Sequence, residues 1–402
     1  MVAPELLSKI NERRVLEFIQ ANGPSSRAAM ARACEMSAPT ASKAVASLIR
    51  TGFLEERGSS EGFGRPGKLL QLDARSANVL GVVVDAGTCW VGSARLDGEV
   101  LEESERSFST PETYPELLSA IEQHLIAIVD GDITSLRSSF RGVGLSVPGL
   151  LNSRLDRTVI SPNLHLLDGQ SLASELSCRL GMRCVALQES HALCVGERMC
   201  GAARGMDDFA MLDVSTGLGL GIFSGGRLLT GNSGMAGELG HITVERAGIL
   251  CGCGNRGCLE TVATDSAFAR EISQLLGQSV GINEAIDVIR SGRADAAAAV
   301  ERTVDYLAIA VAAVINVFNP STLFLHGKLL GSDPEIFDRV LTEAKKRTLK
   351  PSFADCRFLQ SQGNKRLGAV AGIIRTLADE LAPSMASFEL GGMKMTSLTK
   401  GS

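Results

Sequence analysis

Apolar residues in the first fifty positions recur at helical spacing. Over 5–21, Leu6, Ile10, Val15, Phe18 and Ile19 fall near one face. Asn22-Gly23-Pro24 ends that run, because glycine suits a C-cap and proline cannot continue a helix. Arg27–Ala33 predicts a short Ala-rich helix and Glu35-Met36-Ser37 a tight connection. Pro39 then fits the first turn of a third helix, where a missing N–H costs nothing. That helix turns Val45, Leu48 and Ile49 toward a core and leaves Thr40, Ser42, Lys43 and Ser47 outward. Next, 52–57 begins a strand, 59–67 (SSEGFGRPG) is a turn, and Lys68–Leu72 is the returning strand. The hairpin carries Arg65 at its tip, between Gly64 and Pro66.

From residue 79 the pattern becomes one of buried strands. Residues 79–85 (VLGVVVD) run into Asp85-Ala86-Gly87-Thr88, and two more strands follow around a turn at Asp97-Gly98. Such an opening resembles that of sugar-kinase and actin-like ATPase lobes, with Asp85 and Gly87 at the first phosphate turn. Residues 142–149 (GVGLSVPG) predict a buried strand ending in a loop, 161–164 (SPNL) a polar turn, and 185–189 a strand leading into a helix over 191–200. Residues 211–214 (MLDV) enter STGLGLG, in which Gly217, Gly219 and Gly221 alternate after Thr216. That spacing fits backbone approach to a phosphate and tight sheet packing equally well. A long Ala/Val-rich helix over 296–318 precedes a strand at 322–326, and 391–402 is polar and expected to be disordered. The fold expected is α/β: a winged helix-turn-helix over 1–75, then two α/β lobes with a cleft. The first lobe is placed at 79–195, completed by a C-terminal helix over 365–385. The second, at 196–364, holds the cysteine cluster and a dimerisation surface.

Length supports this division, since 402 residues exceed what one core usually sustains. No segment approaches the roughly 20 apolar residues needed to span a bilayer. The first residues carry charges throughout and lack the apolar stretch of a secretory signal, so a cytoplasmic protein without membrane contact is expected. Charge sharpens the picture. Residues 1–75 hold 11 Lys/Arg against 8 Asp/Glu, a net of +3, while the remainder holds 29 against 37, a net of −8. A basic head on an acidic body suits contact with a polyanion through the head alone. In a helix-turn-helix the second helix enters the major groove, which puts Thr40, Ser42 and Lys43 at base edges and phosphates. Arg65 on the wing is placed for the narrow minor groove.

Seven of the ten cysteines are scattered singly, whereas Cys251, Cys253 and Cys258 fall within CGCGNRGCLE (251–260). In a reducing compartment this density favours a metal over a disulfide. A tetrahedral zinc needs a fourth ligand, and the nearest candidate is His241 in GELGHI (237–242). Three thiolates and one imidazole leave no position for water, so the ion would be structural. Glu238, three residues before His241, and Glu260, two after Cys258, are then pinned beside it. Paired carboxylates are good acceptors for vicinal hydroxyls, which points to a carbohydrate.

With GELGHI, CGCGNRGCLE, SPNL, STGLGLG and the VPG loop (147–149) together, the sequence from residue 79 onward resembles the ROK family (repressors, open reading frames and kinases). The GRPG wing tip resembles that of its repressor branch. The resemblance implies a two-lobed, actin-like ATPase fold with a sugar cleft and zinc on His241, Cys251, Cys253 and Cys258. It implies sugar contacts from Gly149, Asn163, Glu238, His241 and Glu260. Where family kinases carry Asn-Asp before a helix, the Asp being the general base, this chain has Gln188-Glu189. A longer side chain shifts that carboxylate, and about 1 Å of misplacement costs roughly 10²-fold in rate. The nucleotide residues, Asp85, Gly87, Thr216, Gly217 and Gly219, are accompanied by two further departures. Cys89 ends a DAGTC turn where kinases have DxGGT, and His326-Gly327-Lys328 replaces a double glycine.

The function expected is therefore a sugar-responsive regulator, a repressor that binds operator DNA as a homodimer or dimer of dimers. Its effector is a sugar or sugar phosphate. The main alternative is an active ATP-dependent sugar kinase carrying a DNA-binding head, with Glu189 as base. A third reading is control by a protein partner such as a sugar-transport component.

Overall fold

The computed structural model describes residues 4–58, 68–129 and 131–382. Arg65 and the expected tail at 391–402 lie outside these residues. The chain forms two compact units. One takes residues up to Leu145, Ala173–Ala186 and those from Ala369 on; the other takes Ser146–Leu172 and Leu187–Gly368. Among the described residues, no helix is long and apolar enough to cross a membrane.

In the first unit the head comprises α1 (Pro4–Asn22), β1 (Ser25–Ser26), α2 (Arg27–Ala33), α3 (Ala38–Arg50), β2 (Leu54–Gly58) and β3 (Lys68–Leu72). Local chemistry sets the helix ends. Gly23 adopts φ +71° after α1, the left-handed cap that glycine adopts without strain. Ser26 caps α2 by accepting from Ala29 N at 3.2 Å, and Ser37 caps α3 by accepting from Thr40 N at 3.4 Å. The buried faces of α1 and α3, including Leu16, Ile19, Ala41, Val45 and Leu48, close on Met30 and on Leu54 and Leu70 of the wing strands. The wing is the three-stranded sheet β1-β3-β2, with Leu54 opposite Leu72.

Only residues 73–77 separate the head from the strands that follow, and they are well tied. Asp73 accepts from the amides of Arg75 and Ser76 at 2.9 and 3.0 Å. Arg141 donates to the carbonyls of Ser76, Thr51 and Gly52 at 2.6–2.7 Å and lies 4.1 Å over the Phe53 ring. Arg13 of α1, nearly buried, bonds Asp379 Oδ1 and the Ala382 carbonyl, each at 2.6 Å.

The body continues with β4 (Asn78–Val83), β5 (Thr88–Arg95), β6 (Val100–Ser109), α4 (Tyr114–Ile126), α5 (Ile133–Ser139) and β7 (Val143–Val147). A small pair, β8 (Leu150–Asn152) and β9 (Arg157–Ile160), precedes α6 (Leu172–Leu180), β10 (Cys184–Gln188) and α7 (Glu189–Cys200). After β11 (Phe209–Asp213), β12 (Gly219–Ser224) and β13 (Arg227–Leu228) come α8 (Asp265–Leu276), α9 (Ile282–Arg290) and α10 (Ala294–Phe318). The chain then forms β14 (Thr322–His326), α11 (Lys328–Ser332), α12 (Pro334–Lys345), α13 (Lys350–Asp355), β15 (Arg357–Gln360) and α14 (Lys365–Leu381).

Two five-stranded sheets result, β10-β7-β4-β5-β6 and β13-β12-β11-β14-β15. In the first, a Cβ on Gly144 would fall 1.9 Å from the Ala369 carbonyl, so glycine there lets α14 lie against the sheet. In the second, β11 pairs antiparallel with β12 and parallel with β14. Its core joins buried residues of β11, β12 and β14 to those of α8, α10 and α12, with Phe268, Val311 and Val340 at the contact. This core fixes the edge on which the functional residues stand.

Candidate functional site

His241, Cys251, Cys253 and Cys258 converge in the second unit, with one ligand atom of each lying within 4.8 Å of all the others. Two backbone devices bring them together. Glu238 is followed by a 3₁₀ turn over Leu239–His241, entered through Gly237 at φ +92°, where a Cβ would fall 2.1 Å from the Leu220 carbonyl. The cysteine segment folds back on itself, with Cys251 N donating to Asn255 O at 2.8 Å and Leu259 N to Ile242 O at 2.9 Å. Gly257 sits at φ +68°, and a Cβ there would fall 1.6 Å from the Glu245 carbonyl. Gly257→Ala is expected to cost at least about 3 kcal/mol through clash and strained backbone. Thermal unfolding and metal content would be measured together; a folded, metal-loaded variant would contradict this account of the loop.

The donor set fits a tetrahedral ion. Cys253 Sγ and Cys258 Sγ are 3.7 Å apart, and Cys251 Sγ lies 3.7 Å from His241 Nδ1. Bonds of about 2.3 Å to sulfur separate two sulfurs on a tetrahedral ion by about 3.75 Å. Burial pushes the Cys251 thiol up to about 12 and raises Cys258 as well, so an ion that takes them as thiolates must offset desolvation.

The other face of this cluster opens on a groove. His241 turns Nδ1 to the thiols, and its Nε2 lies 3.6 Å from Glu238 Oε2. Glu260 Oε1 lies 3.6 Å from Cys251 Sγ, and its Oε2 accepts from Leu218 N at 3.1 Å. Gln188 Nε2 donates to Glu238 Oε1 at 2.7 Å. Burial raises the Glu238 carboxyl; the Gln188 bond and His241 counter that, and Glu260 adds to it. All seven residues expected at a sugar, Gly149, Asn163, Gln188, Glu189, Glu238, His241 and Glu260, line this one groove. Gln188 Oε1 and Ser190 Oγ are buried there without a hydrogen-bond partner. Such atoms call for a ligand or water, and a polyhydroxylated molecule supplies both donors and acceptors.

Sequence reasoning missed Asp213 and Ser190, which also line the groove. Asp213 closes a buried apolar run at the end of β11, and that was the available signal. Of the expected nucleotide residues, Thr216 lines a separate cavity of about 1160 Å³, whereas Gly217 and Gly219 line the groove. A Cβ on Gly217 would fall 2.6 Å from Glu260 Oε2, and one on Gly219 2.7 Å from the Ser190 Cβ. At the cavity, Asp265 accepts from the amides of Lys328 and Leu329 at 2.6 and 2.9 Å, committing the start of α11. Asp85 and Gly87 belong to the first unit. On α3, Ser42 and Lys43 are exposed, and Thr40 is half-buried with its hydroxyl 2.8 Å from that of Ser37.

Residues 82–374 match the model described as the ROK family. The chain belongs to the ROK family. Ahead of the ROK region, residues 9–65 match the MarR family, in agreement with the winged head. The chain is 27% identical over 346 residues to the xylose repressor of Bacillus spizizenii, covering 85% of this chain and 88% of that protein. It is 31% identical over 289 residues to the glucokinase of Thermotoga maritima, covering 68% and 89%. A solved ROK family transcriptional regulator, homolog of the E. coli MLC protein, shares the fold with a TM-score of 0.79. That match covers 93% of this chain and 98% of the other at 24% identity.

Proposed function

We propose that this ROK protein is a sugar-responsive transcriptional repressor that binds operator DNA through its winged head. A sugar held in the groove beside the cysteine cluster is its effector. The observation that carries the reading is one groove holding Glu189, Glu238 and Glu260 with unpartnered Gln188 Oε1 and Ser190 Oγ, on a chain that also has a MarR-type head. Similarity to a xylose repressor over 85% of this chain supports it. The ion is Zn²⁺, structural because three thiolates and an imidazole complete its tetrahedron. Two copies pair on a palindromic site, since two-fold symmetry in the protein matches that of the half-sites. The sugar releases DNA by its differential affinity for the free and DNA-bound forms.

The test uses genomic DNA fragments enriched on the purified protein. Anisotropy should show binding that one member of a sugar panel relieves. Lys43→Ala should weaken binding about tenfold and lower the slope of log K against log salt by about 1. Binding that no sugar alters, with Lys43 silent, would refute the proposal.

A second reading, an active kinase with a DNA-binding head, draws support from the 31% identity to a glucokinase. Sugar-dependent ADP release in a coupled assay would establish it. Lys365 Nζ lies 2.5 Å from Glu189 Oε1, and what argues against this reading is Glu189 itself, whose longer side chain shifts the carboxylate from where the family kinases' Asp would act as base.

A further inference from the structure

The loop that carries the cysteines is tied to the core of the second unit at a point away from its ligands. Glu245 lies four residues after His241 and six before Cys251, and it is not among the residues that line the groove. Its Oε1 accepts two hydrogen bonds, from the Tyr306 hydroxyl at 2.5 Å and from Arg302 Nη2 at 2.7 Å. Arg302 and Tyr306 are one helical turn apart on α10, so they face the loop together. The Arg302 guanidinium also lies 5.9 Å over the Tyr306 ring.

The backbone of Glu245 meets the returning arm of the fold-back just before its last ligand. Val244 N and Glu245 N both donate to Gly257 O, at 2.8 and 3.1 Å, and Gly248 N donates to Glu245 O at 3.0 Å. The arms pass so close that a Cβ on Gly248 would fall 2.5 Å from Gly257 Cα. Gly257 N in turn donates to Ile249 O at 2.9 Å, and Thr243 pairs with Cys258 in an antiparallel bridge. Cys258 is therefore registered against His241 through Glu245 and Gly257. Val244 packs on the same core as Tyr306, to which α10 contributes Val304, Leu307 and Val311. The fastening thus runs from a 25-residue core helix to the neighbour of a ligand.

We infer that Glu245, held by Tyr306 and Arg302, is a positioning residue of the metal site: it fixes the register of the two arms before an ion arrives. The inference rests on the reading of the cysteine cluster as a Zn²⁺ site. A site assembled from separate segments loses affinity to the ordering of those segments. Two hydrogen bonds to a charged acceptor, stronger than neutral ones, supply part of that ordering in advance. Release of the ion requires the arms to separate at the ligand end, and the fastening at Glu245 opposes that separation.

The experiment follows transfer of zinc from the full-length, zinc-loaded protein to excess chromogenic chelator. Alkylation of Cys251, Cys253 and Cys258 is read beside it by peptide mass spectrometry. Glu245→Ala is expected to speed both about tenfold or more, since a hydrogen bond to a charged group contributes about that factor. Tyr306→Phe removes one donor only and is expected to speed them about threefold or more. The double variant should be no faster than Glu245→Ala alone, because both changes act on one hydrogen bond. Glu245→Gln keeps an acceptor oxygen and should fall between wild type and Glu245→Ala. Asp305→Asn, which breaks a pair with Arg347 on the same helix, should release zinc at the wild-type rate. Should Glu245→Ala fail to fold, Tyr306→Phe against Asp305→Asn carries the same test. Unchanged release in Glu245→Ala and Tyr306→Phe, or equal acceleration in Asp305→Asn, would overturn the inference while leaving the metal site standing. Wild-type protein that takes up no zinc would overturn both.

Discussion

Removing the metal, by chelation or by Cys258→Ser, is expected to abolish sugar binding and lower the melting temperature in the same step. The four candidate ligands come from two short segments, the turn ending at His241 and the fold-back from Cys251 to Cys258. Between them run few backbone bonds, chiefly Leu259 N to Ile242 O and Val244 N to Gly257 O, both near 2.9 Å or shorter. Without the ion the thiol contacts remaining are at 3.7 Å, too long and too weakly polar to hold the segments in register. Loss of a metal belongs to the few changes that cost about 3 kcal/mol or more. In a domain of 150–250 residues that is on the order of 6–12 °C. Sugar binding goes with it because Glu238 and Glu260 are each held against a ligand residue. Elemental analysis, thermal unfolding and calorimetry would be run on the same samples. A chelated protein that kept its melting temperature and its sugar would sink the assignment of an anchoring ion.

Glu238→Ala is expected to leave operator binding intact and make it unresponsive to sugar. Glu238 meets Gln188 on one oxygen and faces His241 with the other, so the carboxylate is oriented before any ligand arrives. A hydrogen bond to a charged group contributes about 1.5–3 kcal/mol, roughly 10- to 150-fold in affinity. The variant also leaves Gln188 without its amide acceptor, in addition to the unpartnered Oε1. The effect should therefore stand at or above the upper end of that range. Titrating sugar against preformed protein–DNA complex measures it directly. Release at the wild-type sugar concentration would refute the role of Glu238.

Much of this was legible because it is local. Cap residues, a proline at a helix start and apolar spacing define the head, and each acts within a few positions. Cysteine density gives the cluster, and proximity in sequence to its ligands gives Glu238 and Glu260. Their exact setting was less accessible: Glu238 precedes a 3₁₀ turn, and α7 begins at Glu189, earlier than the expected start at 191. Gly221 shows why the glycine spacing was undecidable. A Cβ there would fall 2.6 Å from that of Cys194, so α7 packs against β12 at that point, while Gly217 faces Glu260. Only the three-dimensional neighbours separate those roles. Lys365 was invisible for the same reason, since 176 positions separate it from Glu189.

The five-residue connection after β3, clasped by Asp73 and Arg141 and backed by Arg13, leaves the head no tether on which to wander. A head on a flexible linker searches for its half-site and tolerates changes in spacing, with an effective concentration set by linker length. A head without one cannot. In the proposed dimer the two recognition helices meet DNA at a fixed separation, so half-sites moved by about half a helical turn would face the wrong side of the duplex. Such a protein reads the rotational phase of DNA along with its bases.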